Sequence, residues 1–135
     1  LSLVLHIYQL KTADEFNRLT FDTVASGKPS SESLGNTLIS QSEFVLLPGK
    51  SNSTPITMQA ETKFIGIVGF FRKPDAQFWR SLISAEALRD SKQLNIKAQD
   101  CYLQVLSPKP NTIPGQPATF KADCGLATSK ANSKK

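Results

Sequence analysis

Over the first ten residues apolar and polar positions alternate with period two. Leu3, Leu5 and Ile7 fall on one side, and Val4, His6 and Tyr8 on the other, as a β-strand requires. Both sides are partly apolar, which predicts a central strand. Thr12 then stands three residues before Glu15. This is capping-box spacing: the Thr hydroxyl accepts from the backbone N–H near Glu15, and the Glu side chain reaches back to the Thr12 N–H. The strand is therefore expected to feed into a helix from about Thr12 to Leu19, with Ala13, Phe16 and Leu19 as its narrow apolar face.

The polar run from Asp22 to Ser33 contains the cluster Ser26-Gly27-Lys28-Pro29-Ser30-Ser31 and reads as an exposed loop. Leu34 to Ile39 predicts one or two helical turns before a strand from Glu43 to Leu47. A turn at Pro48-Gly49 should end that strand, and Pro55 to Ala60 should return as another. Lys63 to Phe71 is apolar on both faces and belongs in mid-sheet. Pro74 suits the first position of a helix reaching Leu82, with Asp75 in its first turn and Trp79 anchoring it to the core. Ala85 to Arg89 predicts a further short turn. Leu94 to Ala98 and Cys101 to Leu106 alternate and should pair, and Ala118 to Ala122 supplies a last strand.

Six or seven short strands joined mostly by turns, with two helical excursions, predict an all-β fold: an antiparallel β-sandwich with additional short helices. Residues 1–126 read as a single sandwich domain. Residues 127–135 read as a small, polar, basic tail expected to be disordered. At 135 residues the chain is long enough to bury a real core without metals. No apolar run approaches the roughly 18 residues of a membrane-spanning helix.

The net charge of +5 invites a nucleic-acid reading, but Lys130, Lys134 and Lys135 of the tail supply three of those charges. The rest leaves 13 basic against 11 acidic residues, scattered singly without a stripe or interleaved aromatics. That argues against nucleic acid as a partner.

Chemistry is sparse. The one histidine, His6, sits mid-strand, where a structural or interface role is expected. A hydrolase built on it would need a Ser or carboxylate within hydrogen-bond reach and a surrounding cleft, and burial against apolar neighbours would remove that reading. Asp14-Glu15 is accounted for by the helix start. Gly66 and Gly69 lie within a strand and lack the lysine and strand-turn-helix setting of a phosphate loop, so close packing against a large side chain explains them. Cys101 and Cys124 have no Cys or His at metal spacing. They are either two buried thiols or one disulfide closing a loop of about 20 residues. No cofactor, metal or catalytic residue is expected. The polar run remains as a candidate recognition surface, because long loops on rigid sandwiches commonly carry binding; a tolerated surface insertion is the alternative.

Taken in order, HIYQLK at His6 to Lys11, Phe16, Leu34-Gly35, SEFVLLPG at Ser42 to Gly49, FIGIVGFFR at Phe64 to Arg72, and Trp79-Arg80 resemble the type VI secretion lipoprotein family known as TssJ or SciN, across roughly residues 3–83. The resemblance implies a transthyretin-like sandwich, tethered by an acylated N-terminal cysteine to the periplasmic face of the outer membrane. It also implies a noncatalytic assembly role: binding the periplasmic C-terminal region of the inner-membrane component TssM, with other outer-membrane complex components as further partners. The periplasmic setting favours the Cys101–Cys124 disulfide.

Three departures accompany it, the Cys101 and Cys124 pair being one. The lipid-bearing cysteine is not among these residues. The family's further upstream strand and Pro-rich loop have no counterpart before Leu3. If the family's partner-binding loop lies upstream, it is not among these residues; if Leu3 to Leu10 counts as the first strand, that loop corresponds to Asp22 to Ser33, with Asp22, Ser26, Gly27, Lys28, Pro29, Ser30 and Ser31 as the candidate residues. Deleting Ser26 to Ser31 is then expected to spare the fold and weaken binding. The runner-up is a transthyretin-like or immunoglobulin-like small-ligand carrier, which would need an apolar cavity lined by Phe71, Phe78 and Trp79.

Overall fold

The computed structural model describes residues 3–47, 55–99, 101–117, 119–122 and 124. Four antiparallel strands, β1 (Leu3–Leu10), β2 (Leu38–Leu46), β3 (Phe64–Gly69) and β4 (Arg80–Ser84), form one sheet in the order β2-β1-β3-β4. A second, two-stranded sheet pairs β5 (Asn95–Gln99) with β6 (Tyr102–Ser107). Among the described residues four short α-helices, α1 (Asp14–Asn17), α2 (Phe21–Ala25), α3 (Ser30–Leu34) and α4 (Ala85–Ser91), and a 3-10 turn at Gly35–Thr37 join them.

Alternation along β1 sorts the packing into three layers. Leu5 pairs with Gly69 and Ile7 with Ile67, so these residues share a face. A Cβ on Gly69 would lie 3.1 Å from Leu103 on β6, which turns that face toward the second sheet. On the opposite face Tyr8 pairs with Gly66, where a Cβ would lie 2.6 Å from the Phe16 ring of α1. Helices α1 to α3 cover this face, burying Phe16, Leu19 and Leu34. Both glycines therefore serve the close packing expected of them. As the mixed faces of β1 imply, the strand is central, and β3 is central beside it.

Arg80 fastens the helical layer to the sheet. Its guanidinium is buried and donates to the carbonyls of Phe16 and Asn17, the last residues of α1. It lies 4.8 Å from the Trp79 ring centroid and 5.6 Å from that of Phe16. Burial pushes its pKa down to about 10. At the other end of the chain, a disulfide joins Cys101 to Cys124 across a sequence separation of 23.

Several elements differ from those expected. The capping box does not form: α1 begins later, its N-cap is Ala13 with no side-chain cap, and the Glu15 carboxylate instead accepts from Arg18 at 2.8 Å. The apolar face formed by Phe16 and Leu19 is nevertheless buried. The run Asp22 to Ser33 is not a loop but the site of α2 and α3. Thr20 caps α2 by accepting from the Thr23 N–H at 3.2 Å. Pro29, in extended conformation, introduces α3, and Val24 and Leu34 pack inward.

Strand β2 starts at Leu38, ahead of the expected Glu43, because β1 offers it a partner along its whole length. Pro55 to Ala60 is not a strand. There the buried Gln9 side chain replaces a ladder: its amide donates to the Thr57 carbonyl at 3.0 Å, and its oxygen accepts from the Gln59 N–H at 2.8 Å and the Thr62 hydroxyl at 2.7 Å.

No helix covers Pro74 to Leu82. Asp75 accepts from the N–H groups of Gln77 (2.9 Å) and Phe78 (2.8 Å), but the segment's backbone is tied to the second sheet, the Asp75 N–H donating to the Cys101 carbonyl at 2.7 Å and the Leu103 N–H to the Phe78 carbonyl at 2.8 Å, and β4 then pairs with β3. The spacing of Phe78 and Leu82 suits strand alternation as well as a helix. Helix α4 is longer than the single turn expected, capped by the Ser84 hydroxyl, which accepts from the Ala87 N–H at 3.0 Å. Residues 119–122 form no strand. Pro48-Gly49, Ser51 to Thr54, Ala118 and the tail at 127–135 lie outside the described residues.

Candidate functional site

The helices do not seal the sheet completely. Between the face of β1 and β2 and the α2–α3 segment lies a recess of about 290 Å³. His6, Tyr8 and Gln41 form its floor, Leu19, Val24 and Leu34 its apolar wall, and Lys28, Pro29, Ser30, Ser31 and Ser33 its rim. The sequence places these groups simply. Period-two alternation puts His6 and Tyr8 on one face of β1, the pairing of Tyr8 with Gln41 brings β2 alongside, and Pro29 turns the chain into α3 above them.

The floor is a hydrogen-bonded network. His6 Nε2 is 3.1 Å from a Glu43 carboxylate oxygen, and His6 Nδ1 is 3.1 Å from the Tyr8 hydroxyl and 3.4 Å from Gln41 Nε2. The Ser30 hydroxyl donates to Gln41 Oε1. Phe70 packs against the imidazole with ring centroids 4.5 Å apart. Burial pushes the Tyr8 phenol up to about 12. His6 keeps 20% of its side-chain surface exposed, so it is not sealed among apolar neighbours, and it has both a carboxylate partner and a recess beside it. Among the described residues no Ser or Thr hydroxyl stands within hydrogen-bond reach of the ring; the hydroxyl it meets is the Tyr8 phenol. The Gln41 amide stands between it and Ser30, and an amide N–H facing the ring cannot pass a serine proton to it. The arrangement is suited to holding the α2–α3 segment on the sheet.

Of the candidate residues, Lys28, Pro29, Ser30 and Ser31 meet at the rim of this recess. Asp22 on α2 and Ser26 and Gly27 after it are exposed and stand outside its lining. Gly27 takes a φ of 89°, which favours glycine at the end of α2. Tyr8, Gln41, Leu19, Val24, Ser33 and Leu34 went unread as site residues. The alternation of β1 could have pointed to Tyr8 beside His6, but a strand register with Gln41 leaves no trace in a single sequence. The cavity required by the ligand-carrier reading is filled by side chains: Phe71, Phe78 and Trp79 are all buried, with Trp79 packed edge-on to Phe21 at 5.5 Å.

Comparison with known proteins follows the same lines. A family model described as "Type VI secretion lipoprotein, VasD, EvfM, TssJ" matches residues 1–101. Among solved structures, the T6SS lipoprotein TssJ1 from Pseudomonas aeruginosa is 23% identical over 82% of this chain and 80% of that chain, with a TM-score of 0.65. A chain of a structure described as "Type VI membrane complex" is 28% identical over 78% of this chain and 82% of its own, with a TM-score of 0.69. A chain of the structure described as "T6SS protein TssM C-terminal domain" from EAEC is 25% identical over 80% of this chain and 82% of its own, with a TM-score of 0.67. No curated protein sequence matches.

Proposed function

This chain belongs to the type VI secretion lipoprotein family, and from that premise we propose that it is a noncatalytic assembly factor of the secretion membrane complex. It is held by a lipid on its precursor to the periplasmic face of the outer membrane, and it docks the periplasmic C-terminal region of the inner-membrane component TssM. The observation that carries this reading is the match, along most of both chains, to a chain from the TssM C-terminal domain structure and to another from a type VI membrane complex. The interruption of the His6–Ser30 path by Gln41 favours a binding role over a hydrolytic one.

Asp22, Ser26, Gly27, Lys28, Pro29, Ser30 and Ser31 are the proposed contact residues. They lie on α2, α3 and their connection, and those helices are seated on the core by Phe21, Val24 and Leu34. Deleting Ser26 to Ser31 no longer spares the fold, because it removes the first turn of α3. Single substitutions are the cleaner test. Lys28→Glu and Ser31→Arg change exposed side chains and should reduce capture of the TssM periplasmic region in a pull-down roughly tenfold, a loss typical of contact residues near the centre of an interface. Lys97→Glu on β5 should leave it unchanged. Equal capture by all three variants contradicts this site.

A further inference from the structure

The hydrogen bonds on the floor of the recess run in a direction set by one ring. With Nε2–H donating to the Glu43 carboxylate, His6 Nδ1 keeps its lone pair and accepts from the Tyr8 hydroxyl at 3.1 Å and from Gln41 Nε2 at 3.4 Å. An acceptor at Nδ1 demands the NH2 end of the Gln41 amide. That leaves the carbonyl end for α3, where the Ser30 hydroxyl donates to it. Ser30 is the first residue of α3, and Pro29 at the N-cap offers that helix no side-chain cap.

A proton on Nδ1 reverses the order. Imidazolium donates from both nitrogens, so Nδ1–H faces the Gln41 NH2 until the amide turns over and presents Oε1 to the ring. The NH2 group then points at Ser30, whose oxygen must accept, and the hydroxyl proton swings away from the sheet into the recess. No proton passes along the chain; only orientation does. The other groups around the ring leave this control with His6. Tyr8 faces it from β1, Glu43 from β2 and Phe70 from β3. Lys28 is the one other charged residue of the lining among the described residues, with Asp22 of α2 and Glu32 of α3 outside it. Arg80 of β4 stands in the same row of the sheet, beyond Val68, with its guanidinium committed to the Phe16 and Asn17 carbonyls. Of these side-chain types only imidazole ordinarily changes charge between pH 5 and 8.

We infer that His6, acting through Gln41, sets the hydrogen-bond polarity of the α3 rim at Ser30 and so makes docking at this recess pH-dependent. The consequence for docking rests on the proposed TssM site; the coupling of His6 to Ser30 does not. At neutral pH the Ser30 oxygen turns its lone pairs to the recess, and in acid it turns its O–H there, so a partner group matched to one state is mismatched to the other. Docking also covers the ring but not Glu43, which stands outside the lining, and shutting an imidazolium away from water is costly. Capture should therefore fall on acidification.

Nuclear magnetic resonance of the full chain labelled with 15N, titrated from pH 8 to 5.5, tests the coupling. The Gln41 side-chain NH2 and the Ser30 amide should shift with the same midpoint as the His6 ring. In Gln41→Met the ring should still titrate while Ser30 stays still, and in Ser30→Ala the Gln41 response should persist. A Gln41 NH2 that ignores the ring, or a Ser30 amide that follows it equally in Gln41→Met, would overturn the inference. Capture of the TssM periplasmic region should drop roughly fivefold over the same range, about the worth of one hydrogen bond, and should be flat in His6→Asn. Capture by the wild-type chain that is flat with pH would overturn the docking consequence. No capture at any pH, with the spectra as expected, would contradict the TssM site and leave the His6–Ser30 coupling standing.

Discussion

Tyr8 shows how one buried side chain couples the recess to stability. Its hydroxyl is 3.1 Å from His6 Nδ1, its ring packs near Phe16, and burial holds the phenol protonated up to about pH 12 instead of 10. In the unfolded chain the phenol ionises as pH passes 10, while the native one keeps its proton to about 12. The native state therefore loses ground across that window as pH rises, by about 1.4 kcal/mol per pH unit at the steepest. Tyr8→Phe removes this contribution, so urea midpoints measured from pH 9 to 11.5 should fall more steeply for wild type than for the variant. Parallel curves would contradict the account. Tyr8 and His6 were legible as neighbours on one strand face; that Arg80 would leave a surface position to hold the end of α1 was not. A lone arginine beside a tryptophan carries no sign of the carbonyls of Phe16 and Asn17 that it will meet some 60 positions away.

Elements were legible where period and packing agreed. Strands β1, β5 and β6 follow their alternation, and β3 its apolar run between two neighbours, because each has partners that reward the pattern. Sequence reading failed where a side chain or a distant stretch took up the backbone's hydrogen bonds. Gln9 satisfies a segment that looked like a strand, and the backbone at Asp75 and Phe78 bonds to Cys101 and Leu103 of a distant stretch rather than within a helix. The Asp22 to Ser33 run failed differently: five-residue helices built from Ser, Thr and Asp have weak intrinsic propensity, and Phe21, Val24 and Leu34 stabilise them only through the sheet beneath. Gln9 gives the sharpest test at this scale. Gln9→Leu keeps the volume but strips partners from the Thr57 carbonyl, the Gln59 N–H and the buried Thr62 hydroxyl, which should cost about 2–4 kcal/mol. Hydrogen exchange should quicken at the Gln59 amide while β5 and β6 stay protected; an unchanged exchange rate there would refute the surrogate role.

At the scale of the molecule, the sandwich and its family could be read from ordered motifs, whereas the layering could not. Gly66 and Gly69 signalled close approach without saying to what, and the answers, Phe16 on one side and Phe71 with Leu103 on the other, place the sheet between helices and a second sheet. This middle layer gives α2 and α3 a fixed platform, and the proposed assembly role requires that platform to be presented to TssM. Isothermal titration of the purified chain into the periplasmic C-terminal region of TssM tests the claim most directly. The account predicts saturable heat with a defined stoichiometry, weakened by Lys28→Glu. Absence of binding at concentrations where the chain is folded would contradict it.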